Sequence, residues 1–328
     1  MQPFELVRAP SPSDAAKLTK DEETRLIAGG TNLLDLMKLQ VETPSRLADI
    51  SRLDCAEITD TLDGGLRIGS LVTNTATAVH SRIRQDYPVL ARAILAGATQ
   101  QLRNKATTGG NLCQRTRCFY FTNIDQPCNK RNPGSGCGAI EGVAKLHAVL
   151  GTSDQCIATY PGDMAVAMSA LGAEVHILKE DGTERSLPVR DFHLLPGDTP
   201  WRENVLERGE IITVVTLPPP VGGTHYYRKV RERSSYAFAL VSVAAVIDIE
   251  DGVFTRADLA FGGLAHKPWC NPEIGAVLLG KTPDASLFEK AADVLLQAAR
   301  GFGENDFKIP LARRTLRAVL SQAVEDAA

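Results

Sequence analysis

Five of the chain's seven cysteines, Cys113, Cys118, Cys128, Cys137 and Cys156, fall within residues 107–163. Thiolates are soft ligands, and four of them can hold an inorganic centre. Spacing bears on which kind. Nine residues lie between Cys118 and Cys128, eight between Cys128 and Cys137, and eighteen between Cys137 and Cys156. Zinc sites usually draw their ligands from C-x-x-C pairs, and none occurs here. Wide spacing in a loop is compatible with a cubane iron–sulfur cluster, which takes one thiolate per iron from different directions. Gln126-Pro127 before Cys128 and Pro133-Gly134-Ser135-Gly136 before Cys137 let the backbone bend round a bulky group. Arg115, Arg117, Lys130 and Arg131 stand against Asp125, and positive charge beside an anionic cluster favours its reduced form. Unpaired structural thiols in a solvated basic loop are the bland alternative, and spacing alone leaves it standing. Cys113 is a spare, at a place where a small buried hydrophobe would serve as well. Cys55 and Cys270 read as plain thiols, and His147 in VAKLHAVL as a packing residue.

A second constellation is made of backbone. A strand over residues 24–28 runs into Gly29-Gly30-Thr31-Asn32, and LLDLMKLQ continues with helical spacing. Amides in such a turn can cradle a phosphate, and glycine lets the ligand come close. Thr107-Thr108-Gly109-Gly110-Asn111 repeats the arrangement, and two such turns suit a diphosphate better than one. Neither is G-x-G-x-x-G or a P-loop. Asp163, after Pro161-Gly162, reads first as a cap of the helix MAVAMSALGA and second as an acceptor for sugar hydroxyls.

Such sites need elements to hold them. A segment as long and irregular as 107–163 should not persist in a compact domain unless something ties it down. Around it the sequence predicts helices at 12–20 (Ser13 or Asp14 near the start), 74–85 and 88–98, and strands at 46–50 and 66–70. A hairpin over 174–178 and 182–188 follows, then a mainly irregular 192–208 and a strand at 210–217. Pro218-Pro219-Pro220 ends that strand and marks the domain boundary. Beyond it come strands at 225–230, 240–247 and 254–261, and helices at about 286–300 and 310–326. Strands followed by helices give a small α+β domain with an antiparallel sheet.

The composition, 44% hydrophobic and 23% charged, is globular, and 328 residues allow two or three domains. A net charge of −3 without a basic, aromatic-interleaved stripe gives no sign of nucleic acid. No apolar run approaches the ~20 residues of a membrane span. The N-terminus lacks the charged-then-apolar order of a secretory signal.

Taken together, residues 27–34 with Met37-Lys38, the turn at 107–112 and Tyr160-Pro161-Gly162-Asp163 resemble the FAD-binding subunits of the xanthine dehydrogenase family of molybdenum hydroxylases. Phe261-Gly262-Gly263-Leu264-Ala265-His266-Lys267-Pro268-Trp269 is similar to that family's C-terminal domain, so the resemblance spans the chain. Most members lack the cysteine-bearing stretch. QRTRC…PCNKR…PGSGC…C resembles the type with a cubane cluster, found in flavin subunits of bacterial periplasmic aldehyde oxidoreductases. The resemblance implies an α+β fold: an FAD-binding PCMH-type domain over 1–219, with a small βαβ part, a mixed middle part and an iron–sulfur insertion at about 113–157. A C-terminal antiparallel sheet with helices, of the CO dehydrogenase flavoprotein type, would follow over 222–328.

It also implies FAD held through backbone amides by Ile27, Ala28, Gly29, Gly30, Thr31, Asn32, Leu33 and Leu34 and by Thr107, Thr108, Gly109, Gly110 and Asn111. Asp163 would contact sugar hydroxyls and Lys229 would approach the cofactor. Cys118, Cys128, Cys137 and Cys156 would ligate a [4Fe–4S] cluster. Gly162 stands where serine is common in the family. No residue of this chain would act as a catalytic acid, base or nucleophile. Aldehyde oxidation to a carboxylic acid would take place on a molybdenum cofactor-binding large subunit. Electrons would come through a [2Fe–2S] small subunit to this FAD and leave to an external acceptor. A heterotrimer is expected, cytoplasmic, or periplasmic if exported folded with a signal-bearing partner. A 4-hydroxybenzoyl-CoA reductase-like flavin subunit and a zinc-stapled interaction protein are the alternatives. Tyr236 would sit against the flavin ring or be a buried tyrosine.

Overall fold

The computed structural model describes residues 1–327 and contains three sheets. The first is small and parallel. Strands β1 (Glu5–Arg8), β2 (Thr24–Ile27) and β3 (Arg46–Asp49) lie in the order β1-β3-β2. Parallel neighbours cannot be joined by a tight turn, so helix Leu33–Lys38 carries the chain from β2 to β3. Helix Pro12–Leu18 lies between β1 and β2 in the chain and is capped by Ser11, whose hydroxyl accepts from the Asp14 amide at 3.1 Å. The cap therefore stands two residues before Ser13, since proline is favoured at the first helical position.

The middle sheet is antiparallel. Strands β4 (Ile58–Asp60), β5 (Leu66–Gly69), β6 (Glu174–Lys179), β7 (Glu184–Pro188) and β8 (Glu210–Leu217) take the order β4-β5-β8-β6-β7. Helices Pro88–Ala96 and Met164–Ala170 pack against it through Val89, Leu90, Ile94, Val166 and Met168. The predicted helix at 74–85 is two, Asn74–Val79 and Ser81–Asp86, because His80 between them has extended backbone (ψ 131°).

Strands β9 (Thr224–Val230), β10 (Val241–Glu250) and β11 (Val253–Gly262) form the third sheet, in the order β11-β10-β9. The period-2 alternation of β10 sorts its side chains between two cores. Val241, Val243, Ala245 and Ile247 pack with helices Pro272–Leu278, Ala285–Leu296 and Lys308–Ala327, whereas Ala244 and Val246 join the core of the middle domain. Both faces are covered, which is why VSVAAVI reads as a continuous apolar run.

Between helices Thr108–Leu112 and Met164–Ala170 the only regular element is the single turn Phe119–Thr122. Polar bonds hold the rest. The Arg131 guanidinium donates to the carbonyls of Tyr120, Phe121, Ile124 and Gln126, and Asn129 ties Gly136 to Gln155. Among the described residues no helix is long and apolar enough to cross a membrane.

Candidate functional site

Both glycine turns open on one cleft of about 780 Å³, inside the usual range for small-molecule sites. The first follows β2. A Cβ on Gly29 would stand 1.8 Å from the Lys105 carbonyl oxygen, so its hydrogen lets the two turns meet. Gly30 has φ +71°, the left-handed region. Among the described residues the amides of Gly29, Gly30, Thr31, Asn32 and Leu33 donate to no protein group. Five successive free amides along a cleft wall are an anion cradle. Ile27 and Ala28 line the cleft as well, while Leu34 turns beneath Gly30.

The second turn works otherwise than expected. Its amides are spent inside the protein: Thr108 on Val72, Gly109 on Ser70, Asn111 on the Thr107 carbonyl and Gly110 on the Thr107 hydroxyl. With all four donors engaged by protein acceptors, none is left for a phosphate, contrary to the expectation of amide binding at this turn. Thr107, Gly109 and Gly110 line the cleft, whereas Thr108 is fully buried and Asn111 lies outside it. Cys113 is exposed on the cleft, contrary to the expected buried position.

One feature of the cleft was illegible in sequence. Arg115 bonds Glu42 and Glu203 and gives its amide to the Asn32 side chain at 2.9 Å. Lys130, 3% exposed, reaches Glu203 at 3.1 Å and the Pro200 carbonyl at 2.7 Å. Burial would raise the Glu203 carboxyl, but Arg115 and Lys130 prevail and push it down to about 2.

Asp163 does not cap its helix. Its backbone is already helical, and its carboxylate accepts from Lys229 Nζ at 2.8 Å and Tyr227 Oη at 2.6 Å. It lines a separate crevice of about 40 Å³ with Arg117, Tyr160 and Phe238. Tyr160 ties the crevice to the helical turn Thr108–Leu112, since its hydroxyl donates to the Asn111 carbonyl at 3.0 Å. A Cβ on Gly162 would stand 2.5 Å from the Tyr160 ring, which explains glycine there. Tyr236 is half exposed with φ +51°, and is not the buried tyrosine of the second expectation.

The four expected ligands come together from distant positions. Cys128 and Cys137 face each other across an isolated antiparallel bridge, and Cys137 and Cys156 are near enough to shift one another, Cys137 downward and Cys156 upward. Cys118 lies close enough to feel both Cys128 and Cys137, and burial pushes it up to about 12. His147, read as a packing residue, sets Nε2 3.1 Å from the Cys118 sulfur. His266, unread in sequence, sets Nε2 3.3 Å from the Cys156 sulfur. Lys308 is fully buried and donates to the carbonyls of His147 and Gly263, with no carboxylate partner among the described residues. No three His, Cys, Asp or Glu side chains among them are gathered as a single-ion site would require. Four thiols without a carboxylate are nevertheless the donor chemistry of an iron–sulfur centre.

Comparison with known proteins bears on the flavin. Residues 2–220 match the family model described as FAD binding domain in molybdopterin dehydrogenase, and residues 225–323 match the CO dehydrogenase flavoprotein C-terminal domain. The chain is 53% identical over 327 residues to aldehyde oxidoreductase FAD-binding subunit PaoB of Escherichia coli, covering 98% of this chain and 99% of that one. It is 27% identical to the glyceraldehyde dehydrogenase medium chain of Sulfolobus acidocaldarius, covering 88% and 85%. Among solved structures, reconstituted CO dehydrogenase from Oligotropha carboxidovorans superposes with a TM-score of 0.76 at 23% identity, over 99% of each chain.

Proposed function

Because the chain belongs to the family of FAD-binding subunits of molybdopterin-dependent dehydrogenases, we propose that it is the flavin and iron–sulfur subunit of a three-subunit aldehyde oxidoreductase. The observation that carries the flavin assignment is the row of free amides from Gly29 to Leu33 along the cleft. They are the donors for a pyrophosphate, and the side-chain-free surface of Gly109 and Gly110 lets the phosphates lie close. Asp163 keeps accepting capacity on both oxygens beyond its two present bonds, and is the group assigned to a sugar hydroxyl. Lys229 acts through Asp163 by fixing its orientation.

The substrate class follows the relative at 53% identity, an aldehyde oxidoreductase subunit. In this assignment the aldehyde is oxidised at molybdenum on a large partner, and a [2Fe–2S] partner delivers electrons to this chain for an external acceptor. When bound, FAD supplies the chemistry of accepting electrons singly and releasing them as a pair. Cys118, Cys128, Cys137 and Cys156 are proposed to hold the [4Fe–4S] cluster; their convergence and all-sulfur chemistry support this. Family membership sets aside the zinc-stapled interaction protein.

The test is iron, sulfide and flavin content of protein purified without air, alongside Gly110→Val. A Cβ at Gly110 meets only the Thr107 hydroxyl, at 3.0 Å, so the larger side chain fills the cleft. About four iron and one FAD per chain are expected in the parent, and iron without FAD in the variant. Normal FAD in Gly110→Val sinks the pyrophosphate assignment, and absence of iron and sulfide from the parent sinks the cluster.

A further inference from the structure

We infer that His147 and His266 are positioning residues for the sulfur centre, each giving its Nε2–H to the sulfur of one ligand, Cys118 and Cys156 respectively. The inference rests on the assignment of those cysteines as cluster ligands. A metal-bound sulfur has no proton and can only accept, so the ring nitrogen 3.1 Å or 3.3 Å away must be the donor. The rest of each ring agrees with that tautomer. Both Nδ1 atoms are buried without any partner. With the proton on Nδ1, each ring would bury an orphaned N–H and turn a nitrogen lone pair toward a sulfur lone pair. With it on Nε2, the buried Nδ1 is only a bare acceptor.

Backbone serves these sulfurs in the same manner. The amides of Ala139, Ile140 and Ile157 favour a thiolate at Cys137, as those of Tyr120 and Phe121 do at Cys118 and that of Ala158 does at Cys156, and the histidines add to the last two. Both rings are held firmly. The His147 carbonyl accepts from Lys308 Nζ at 2.8 Å, and its amide donates to Ala144 at 2.8 Å. His266 follows Leu264 and Ala265, whose carbonyls accept from the amides of Val149, Leu150 and Tyr160 at 2.9–3.0 Å.

Hydrogen bonds to cluster sulfurs favour the reduced form and raise the potential. The experiment compares His147→Ala and His266→Ala with His147→Gln and His266→Gln, whose amide keeps an N–H donor at the position of the ring Nε2. It reads the midpoint potential by electron paramagnetic resonance titration, with iron, sulfide and FAD content as folding controls. The alanine variants should titrate at more negative potential, or lose iron while keeping FAD, and the amide variants should recover the parent potential. Full iron with an unshifted potential in both alanine variants overturns the inference alone. If the alanine variants fail to fold, the amide variants decide it: parent potential supports donation, and a negative shift overturns it. A parent protein without iron or sulfide overturns the cluster assignment beneath it.

Discussion

Aspartate at the mouth of a helix ordinarily caps it, and Asp163 has the sequence setting for that role. Its helical backbone directs the carboxylate instead to Lys229 and Tyr227 on β9, 66 and 64 residues further along the chain. The side chains of Lys229 and Asp163 are 4% and 9% exposed, so removing one partner strands a buried charge. Lys229→Met should therefore cost about 3–5 kcal/mol in urea denaturation, with part regained in the Asp163→Asn double variant. A loss under about 1 kcal/mol would mean that solvent reaches the pair. Glu203 gives a pH signature. Its folded pKa, about 2, lies below the ordinary carboxylate value, so its contribution is present above the unfolded pKa and vanishes as pH falls through the folded one. Glu203→Gln should destabilise the protein at neutral pH and flatten the stability loss between about pH 4.5 and 2, measured by denaturation across that range. Local geometry was legible, as for the turn at Gly29 and Gly30, whose amides are left without protein acceptors. Contacts with a remote partner were not, as for His266, 110 residues from Cys156.

At the scale of elements, the first turn is a joint between two segments as well as a ligand surface. Gly29 abuts the Lys105 carbonyl so closely that no Cβ fits, and backbone rather than a flexible side chain is in the way. Gly29→Ala should lower thermal stability and abolish FAD retention together, unlike Gly110→Val, which should lose flavin with little change in melting temperature. Equal melting temperatures for the two variants would refute the joint. Strands and helices with strong periodicity were readable: β8, the β10–β11 hairpin across Asp251-Gly252, and the two last helices all lie where the pattern put them. Elements made by neighbours rather than by pattern were not. β1 and β4 are short and largely exposed, with no alternation to announce them. Helix Pro272–Leu278 is seven residues long and is fixed by the Asn271 cap and by Gly275 lying against the Ala257 carbonyl of β11. The second glycine turn looked like the first in sequence, yet it is a threonine-capped helical turn whose donors go to Thr107, Val72 and Ser70.

For the molecule as a whole, the α+β architecture was legible because apolar periodicity and the proline run are carried by the chain itself. How the parts meet was not. The C-terminal sheet shares β10 between two cores, so it packs on the middle domain through Ala244, Val246 and Ala260 and on its own helices through the opposite face. The same half of the chain closes the cysteine pocket: Leu264 and Ala265 bond residues 149, 150 and 160, His266 lies against Cys156, and Lys308 reaches the carbonyl of His147. That closure has a consequence in time. A nascent chain leaves the ribosome with all four cysteines ahead of their cover, and the 110 residues from Cys156 to His266 take on the order of ten seconds to synthesise. During that interval the thiols stand open to oxidants and, under the proposed function, to whatever delivers iron and sulfide. Once the second half docks, Cys156 is only 5% exposed and Cys128 is buried, so those two thiols are closed off while Cys118 and Cys137 stay partly open.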